Sequence, residues 1–326
     1  MSESKSEVKN SKRYLSIDIF KGISIILMVF VNTLRPYENI PGWSKHAVVY
    51  GITYVDLVAP FFVFMLAVNT HLSYSKRLVL LGRKDAIIRH LRRFIIFIII
   101  GLIFSIDIEA NRLILRWGTL QILGSSGLFL LLVIELKYYF RLAFALIALI
   151  IHQFILMNGF EHIIYDSVEG GIYSIFAWGA MILLSSIFYE SIKSQSKRNY
   201  MLIGAVLLII SGIILSYSWK ISRQYVSVSY VLLSVGISAL LFNLIYIVFD
   251  RNKNYTQISI RGNLIINLGR NAFFLYLIHI ILIYVVYEIL PFNAPIYLVF
   301  LVASLNVVII YFIGYFTDKY KVYLVI

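Results

Sequence analysis

The sequence predicts an all-α integral membrane protein, a bundle of about ten transmembrane helices with both termini in the cytoplasm. Three observations predict it. Hydrophobic residues fill 60% of the 326 positions and charged residues only 14%, where soluble domains run near half and a quarter. The apolar residues come in runs of about 20, the length that crosses a hydrocarbon core. Lysine and arginine fall mainly between alternate runs, as the positive-inside rule requires.

The runs follow one another with short connections. The first thirteen residues, MSESKSEVKNSKR, are polar, and we read 1–14 as a cytoplasmic tail. The apolar stretch Ile23 to Leu34 has no small-residue cleavage site behind it, so it is expected to be a retained helix rather than a signal peptide. Spans are expected near 17–34, 52–72, 88–106, 114–134 and 140–157, and then near 171–189, 200–219, 225–249, 268–290 and 295–317. Arg112, Arg116, Lys137 and Arg141 crowd the ends of the third to fifth. With the N-terminus inside, the inner segments hold 22 lysines and arginines and the outer segments 6, and Lys21 lies within the first span. No repeat or low-complexity linker interrupts 15–326, which is read as a single transmembrane domain of a multi-pass protein of the cell membrane.

Composition also excludes chemistries. There is no cysteine, which removes disulfides, thiolate metal sites and thiol nucleophiles. The net charge of +13 is dispersed between apolar runs rather than gathered on one segment, so no nucleic-acid partner is expected. No HExxH, GxSxG, Walker loop or dinucleotide fingerprint occurs, and no metal site is expected.

Ionisable side chains inside hydrocarbon are costly, so those that fall there are candidates for function. Asp18 and Lys21 open the first span three residues apart, on one helical face, and equally describe an interfacial ion pair. Asn32 ends that span. The outer segment GWSKHAVVYGITYVDL brings His46 ahead of the second span and Asp56 into its first turns, with Pro60 following. His46 also reads as an ordinary loop histidine, and Asp56 as an anchor for a helix start. Arg89, His90, Arg92 and Arg93 lead into the third span, either as a topological signal or as an anion site. His71, His152, His162 and His279 stand singly and receive no role.

Four strings carry a family resemblance. RYLSIDIFKGISIILMVFVN (13–32) and KHAVVYGITYVDLVAPFFVFMLAV (45–68) resemble the catalytic core of the heparan-α-glucosaminide N-acetyltransferase family. RWGTLQILG (116–124) and LGRNAFFLYLIH (268–279) are similar to later stretches of that family, in the same order. The sequence departs from the pattern in the apolar AVVYG after His46 and in Ile122, where an arginine is common. The resemblance implies a transmembrane acyltransferase that moves an acetyl group from cytosolic acetyl-CoA to an amine on a glycan or amino sugar at the outer face. It maps the catalytic histidine onto His46 and the catalytic asparagine onto Asn32. Members of the family often pair through membrane helices, so a homodimer surrounded by membrane lipids is an implied state.

Acetyl transfer needs a base for the acceptor proton and donors for the thioester oxyanion. His46 is expected to be the base or a transient acetyl carrier, Asn32 the oxyanion donor, and Asp56 the group that orients the imidazole. Arg89, Arg92 and Arg93 are expected to hold the phosphates of coenzyme A, because guanidinium groups suit phosphate oxygens. Lys21, Arg270 and Gln121 are further candidates for binding this cosubstrate. Three rivals stay open: an O-acyltransferase of cell-surface polysaccharide or lipid, a secondary transporter or flippase, and a purely structural membrane subunit.

Overall fold

A computed structural model describes residues 14–109, 112–115, 117–161, 164, 167–193, 198–251 and 264–323. The polar tail, except Tyr14, and His162 lie outside them. The described helices are α1 (Leu15–Leu34), α2 (Val58–Leu81), α3 (Arg83–Phe104), α4 (Thr119–Val133), α5 (Tyr138–Ile155) and α6 (Ile175–Ile187). They continue as α7 (Tyr189–Lys193), α8 (Arg198–Ser216), α9 (Val228–Tyr246), α10 (Leu264–Arg270), α11 (Ala272–Ile289) and α12 (Ile296–Lys319).

Seven described helical stretches are long and apolar enough to cross a membrane: 15–34, 54–81, 138–160, 172–192, 228–251, 272–289 and 296–319. Two further apolar helices, at 119–133 and 199–215, are shorter. Isoleucine, leucine and phenylalanine side chains stand exposed along α5, α11 and α12, among them Ile150, Phe154, Ile281, Leu301 and Phe312. Such faces are stable only against an apolar solvent, which is what lipid supplies.

The expected fourth span begins later than its hydropathy suggests. Residues 106–115 form a two-stranded antiparallel hairpin, β1 (Ile106–Glu109) with β2 (Arg112–Leu115), pairing Ile106 with Leu115 and Glu109 with Arg112. Helix α4 starts only after Gly118. The β-branched and aliphatic residues that lengthen the apolar run suit a strand as well as a helix.

The chain divides into two compact units. One consists of 48–51 and 59–240, and the other of 13–47, 52–58 and 241–326. In the first, α3 packs on α4 and α4 on α6. Gly124 and Gly127 bring α4 against Phe94 and Ile98, and Gly179 brings α6 against Phe129. Close backbone approach through small residues is the usual way membrane helices gain dispersion contact.

In the second unit, α1 packs against α10, α11 and α12. Gly269 lies on the backbone of Asp18 and Gly22 on that of Ile265, so any side chain at either glycine would drive α1 and α10 apart. The first turn of α1 has free N–H groups and no cap of its own. Asp250 supplies one from 235 residues away, accepting from Leu15 N at 3.0 Å and Ser16 N at 2.9 Å. A carboxylate at a helix N-terminus also meets the positive end of the helix dipole. At the other end of α1, Leu34, Tyr37 and Ile40 form a buried cluster with Leu290, Val299 and Ala303.

Candidate active site

Pro36 follows the C-cap of α1, Arg35, and disfavours continuation of the helix. The chain then makes a 3₁₀ turn at Gly42–Ser44, bends back through 45–53 with Gly51 at φ 106°, and makes a second 3₁₀ turn at Tyr54–Leu57 that leads into α2. Ser44 bonds Tyr54 through their hydroxyls and ties the two turns together. Thr53 and Asp56 form a capping box at the second turn, the arrangement in which a residue three positions on reaches back to the cap.

Asp56 is fully buried. Its Oδ2 accepts from Thr53 N at 2.8 Å, Thr53 Oγ1 at 3.1 Å and Ala47 N at 3.3 Å. Its Oδ1 accepts from His46 Nδ1 at 2.8 Å. A carboxylate oxygen only accepts, so Nδ1 carries the proton of this bond and a neutral ring presents an unprotonated Nε2. The His46 side chain is 31% exposed, and no described residue bonds its Nε2. One carboxylate thus both caps the helix start and bonds the imidazole. An imidazole held by a carboxylate, with its other nitrogen open, is the base-and-orienter half of many acyl-transfer sites.

Asn32 stands in the last turn of α1, half-buried, with Nδ2 3.2 Å from His279 Nε2 on α11. Its backbone carbonyl accepts from Tyr287 Oη at 2.7 Å. The next residue, Thr33, accepts from Asn306 Nδ2 of α12 at 3.1 Å. His279 is 2% exposed and its Nδ1 contacts the carbonyl of Tyr276. His279 had no role in the sequence reading, because a lone histidine in an apolar run carries no spacing signal. Its burial in a span is the signal that sequence offers.

The other candidates separate into engaged and open groups. Lys21 lies 3.6 Å from Asp18, the ion pair that is one of the two readings of these residues. Arg270 Nη1 bonds both carboxylate oxygens of Asp318 at 2.9 Å. Gln121 is buried and bonded at both ends, accepting from Gly118 N at 3.1 Å and donating to Ser105 Oγ at 2.7 Å, at the start of α4. On α3, Arg89 and Arg92 are exposed and Arg93 half-buried, with the Arg93 guanidinium 5.3 Å from the centre of the Phe97 ring. Arg77 of α2 acts electrostatically on both Arg89 and Arg93, although the sequence reading counted it only among the inner charges. None of these four arginines has a carboxylate partner among the described residues. No group of histidines and carboxylates among the described residues is suited to a metal ion.

The fold and this constellation define a multi-pass helical membrane protein with an imidazole–carboxylate pair and a part-buried carboxamide–imidazole pair in one unit. Residues 13–200 match the family described as heparan-alpha-glucosaminide N-acetyltransferase, catalytic, and the chain belongs to that family. Over 64 residues it is 45% identical to the heparan-alpha-glucosaminide N-acetyltransferase of Homo sapiens, a stretch that covers 19% of this chain and 9% of the human protein. His46, Asn32, Asp56, Gln121 and the arginine cluster fall inside 13–200, whereas His279, Tyr287 and Arg270 lie beyond it.

Proposed function

We propose that the protein is a transmembrane acetyltransferase. It takes the acetyl group of acetyl-CoA from the cytoplasmic side and delivers it to an amino sugar or glycan at the outer face of the cell membrane. The reading rests on family membership and on one observation above all: His46 is bonded through Nδ1 to a buried carboxylate while Nε2 stays open. That nitrogen takes the proton of the acceptor amine as the amine attacks the thioester carbonyl. The carbonyl oxygen becomes an oxyanion facing the Asn32 amide. The C–S bond then breaks, and the proton passes from His46 to the departing thiolate of coenzyme A. A two-step route, with the acetyl group carried transiently on Nε2, uses the same residues.

In this reading 15–326 acts as one acyltransferase domain with about ten spans, the seven long stretches being joined by α3, α4 and α8. The 22-to-6 distribution of basic residues supports cytoplasmic termini and an outer location for His46 and Asn32. The phosphates of coenzyme A are held on the cytoplasmic side by Arg89, Arg92 and Arg93. Lys21, Arg270 and Gln121 have their polar groups committed to Asp18, Asp318, Gly118 and Ser105, so the reading leans on the arginines.

The test is release of coenzyme A from acetyl-CoA by the purified protein with glucosamine as acceptor, together with mass spectrometry of the product. Wild type is expected to release coenzyme A and form N-acetylglucosamine. If His46→Ala is as active as wild type, the assignment of the base fails. Charge reversal at Arg92 and Arg93 is expected to weaken donor binding by at least about tenfold, as loss of charge-assisted bonds to phosphate would. Unchanged donor affinity would leave the cluster as a topological signal only.

A further inference from the structure

We propose that His279 is a positioning residue for the Asn32 carboxamide. It fixes which end of the amide faces the reaction and leaves one N–H free for the oxyanion; this rests on the acetyl-transfer reading above. The chain of bonds dictates the orientation. A backbone carbonyl only accepts, so the contact between His279 Nδ1 and the Tyr276 carbonyl requires the proton on Nδ1. A neutral ring protonated there has an Nε2 that only accepts. The group 3.2 Å away on Asn32 must therefore be its N–H donor and not its carbonyl.

Without such a partner the terminal torsion of asparagine is broad and nearly two-fold, so oxygen and nitrogen would exchange places. A carbonyl oxygen facing a developing oxyanion would repel it. With one amide hydrogen held by His279, the second points away and stays available. The backbone of Asn32 is fixed as well, by Tyr287 at 2.7 Å, and Thr33 is tied to α12. His279 touches no reacting atom in this scheme, and its effect passes through Asn32.

The experiment uses the full-length protein in detergent or lipid discs and follows coenzyme A release with glucosamine. Asn32→Ala and His279→Leu are each expected to lower kcat by roughly 10²-fold, the loss typical of a missing oxyanion donor. KM for donor and acceptor should stay within about twofold, since only transition-state binding is lost. The double variant should be no slower than Asn32→Ala, because residues acting as one unit are not additive. His279→Gln, whose side-chain oxygen accepts the same bond, should recover to within about tenfold of wild type. Additive losses, a fully active His279→Leu, or a glutamine variant as poor as the leucine variant would each overturn the proposal.

A second readout needs no turnover. Nitrogen-15 NMR of histidine-labelled protein, with the His279 signal assigned by its loss in His279→Gln, should report a ring protonated at Nδ1. Its Nε2 resonance should shift in Asn32→Ala. A ring protonated at Nε2 would overturn the positioning. If wild type releases no coenzyme A, the acetyl-transfer reading has failed, and the NMR result still decides the Asn32–His279 arrangement.

Discussion

Two histidines of the same unit sit in opposite settings. His46 lies in a loop, is part exposed, and gives its Nδ1 proton to a carboxylate that four donors hold in place. His279 lies inside a helix, is buried, and gives its Nδ1 proton to a backbone carbonyl while its Nε2 receives an amide. Both rings are fixed through Nδ1, so the difference lies at Nε2. One ring keeps that nitrogen open and can exchange a proton with a substrate. The other uses it to hold a neighbour. In the reaction we propose, chemistry and scaffolding are divided between two identical side chains by what occupies the far nitrogen.

The sharpest test of this division is the same substitution at both positions. Glutamine reproduces a hydrogen bond but is no base near neutral pH, so His46→Gln should lose about 10²- to 10⁴-fold in kcat while His279→Gln stays within about tenfold of wild type, both read from coenzyme A release. Equal losses would erase the distinction. Asp56→Asn comes next. The amide oxygen can still accept from Thr53 and Ala47, but its NH2 then faces the ring and forces His46 to accept at Nδ1 and carry its proton on Nε2. Thus kcat should fall by roughly 10²-fold or more. The melting temperature should drop too, by an amount matching about 1–3 kcal/mol, because the buried bonds lose their charged acceptor. His46→Gln, by contrast, should leave the melting temperature close to wild type, because that ring is part exposed. The smallest effect is expected from Tyr287→Phe, which deletes only the bond to the Asn32 carbonyl. About 0.5–1.5 kcal/mol of stability should be lost, with kcat changed by less than about tenfold. A larger kinetic loss would mean that the hydroxyl, and not His279, sets the carboxamide.

Much of the helical plan was legible because hydrocarbon demands long apolar runs and tolerates little else. The expected spans near 17–34, 171–189, 225–249 and 295–317 each contain or overlap a stretch able to cross a membrane. The run near 114–134 starts earlier than its helix, because Ile114 and Leu115 raise hydropathy at its beginning while pairing in a strand, and mean hydropathy does not distinguish the two. The run near 268–290 is broken at Asn271, between α10 and α11. An orienting role of Asp56 toward His46 is suggested by the acyl-transfer chemistry that the resemblance implies, and the two stand only ten residues apart. The contact between Asn32 and His279 spans 247 residues, and nothing local announces it. The arginine cluster is in between: α3 carries three of its members in five residues, whereas Arg77 joins from α2 only through the fold.

By itself the sequence determined that this chain belongs in a bilayer, which of its loops carry positive charge, and which residue types stand at the ends of its first two spans. Those are properties of composition and spacing, and a bilayer reads them one segment at a time. Tertiary structure decided which nitrogen of each histidine is free, which arginines lie side by side, and which carboxylates are already taken. Hydrogen bonds are directional and short, so they depend on where distant segments are brought together, and a helix that is only apolar says nothing about the face its one polar residue will find.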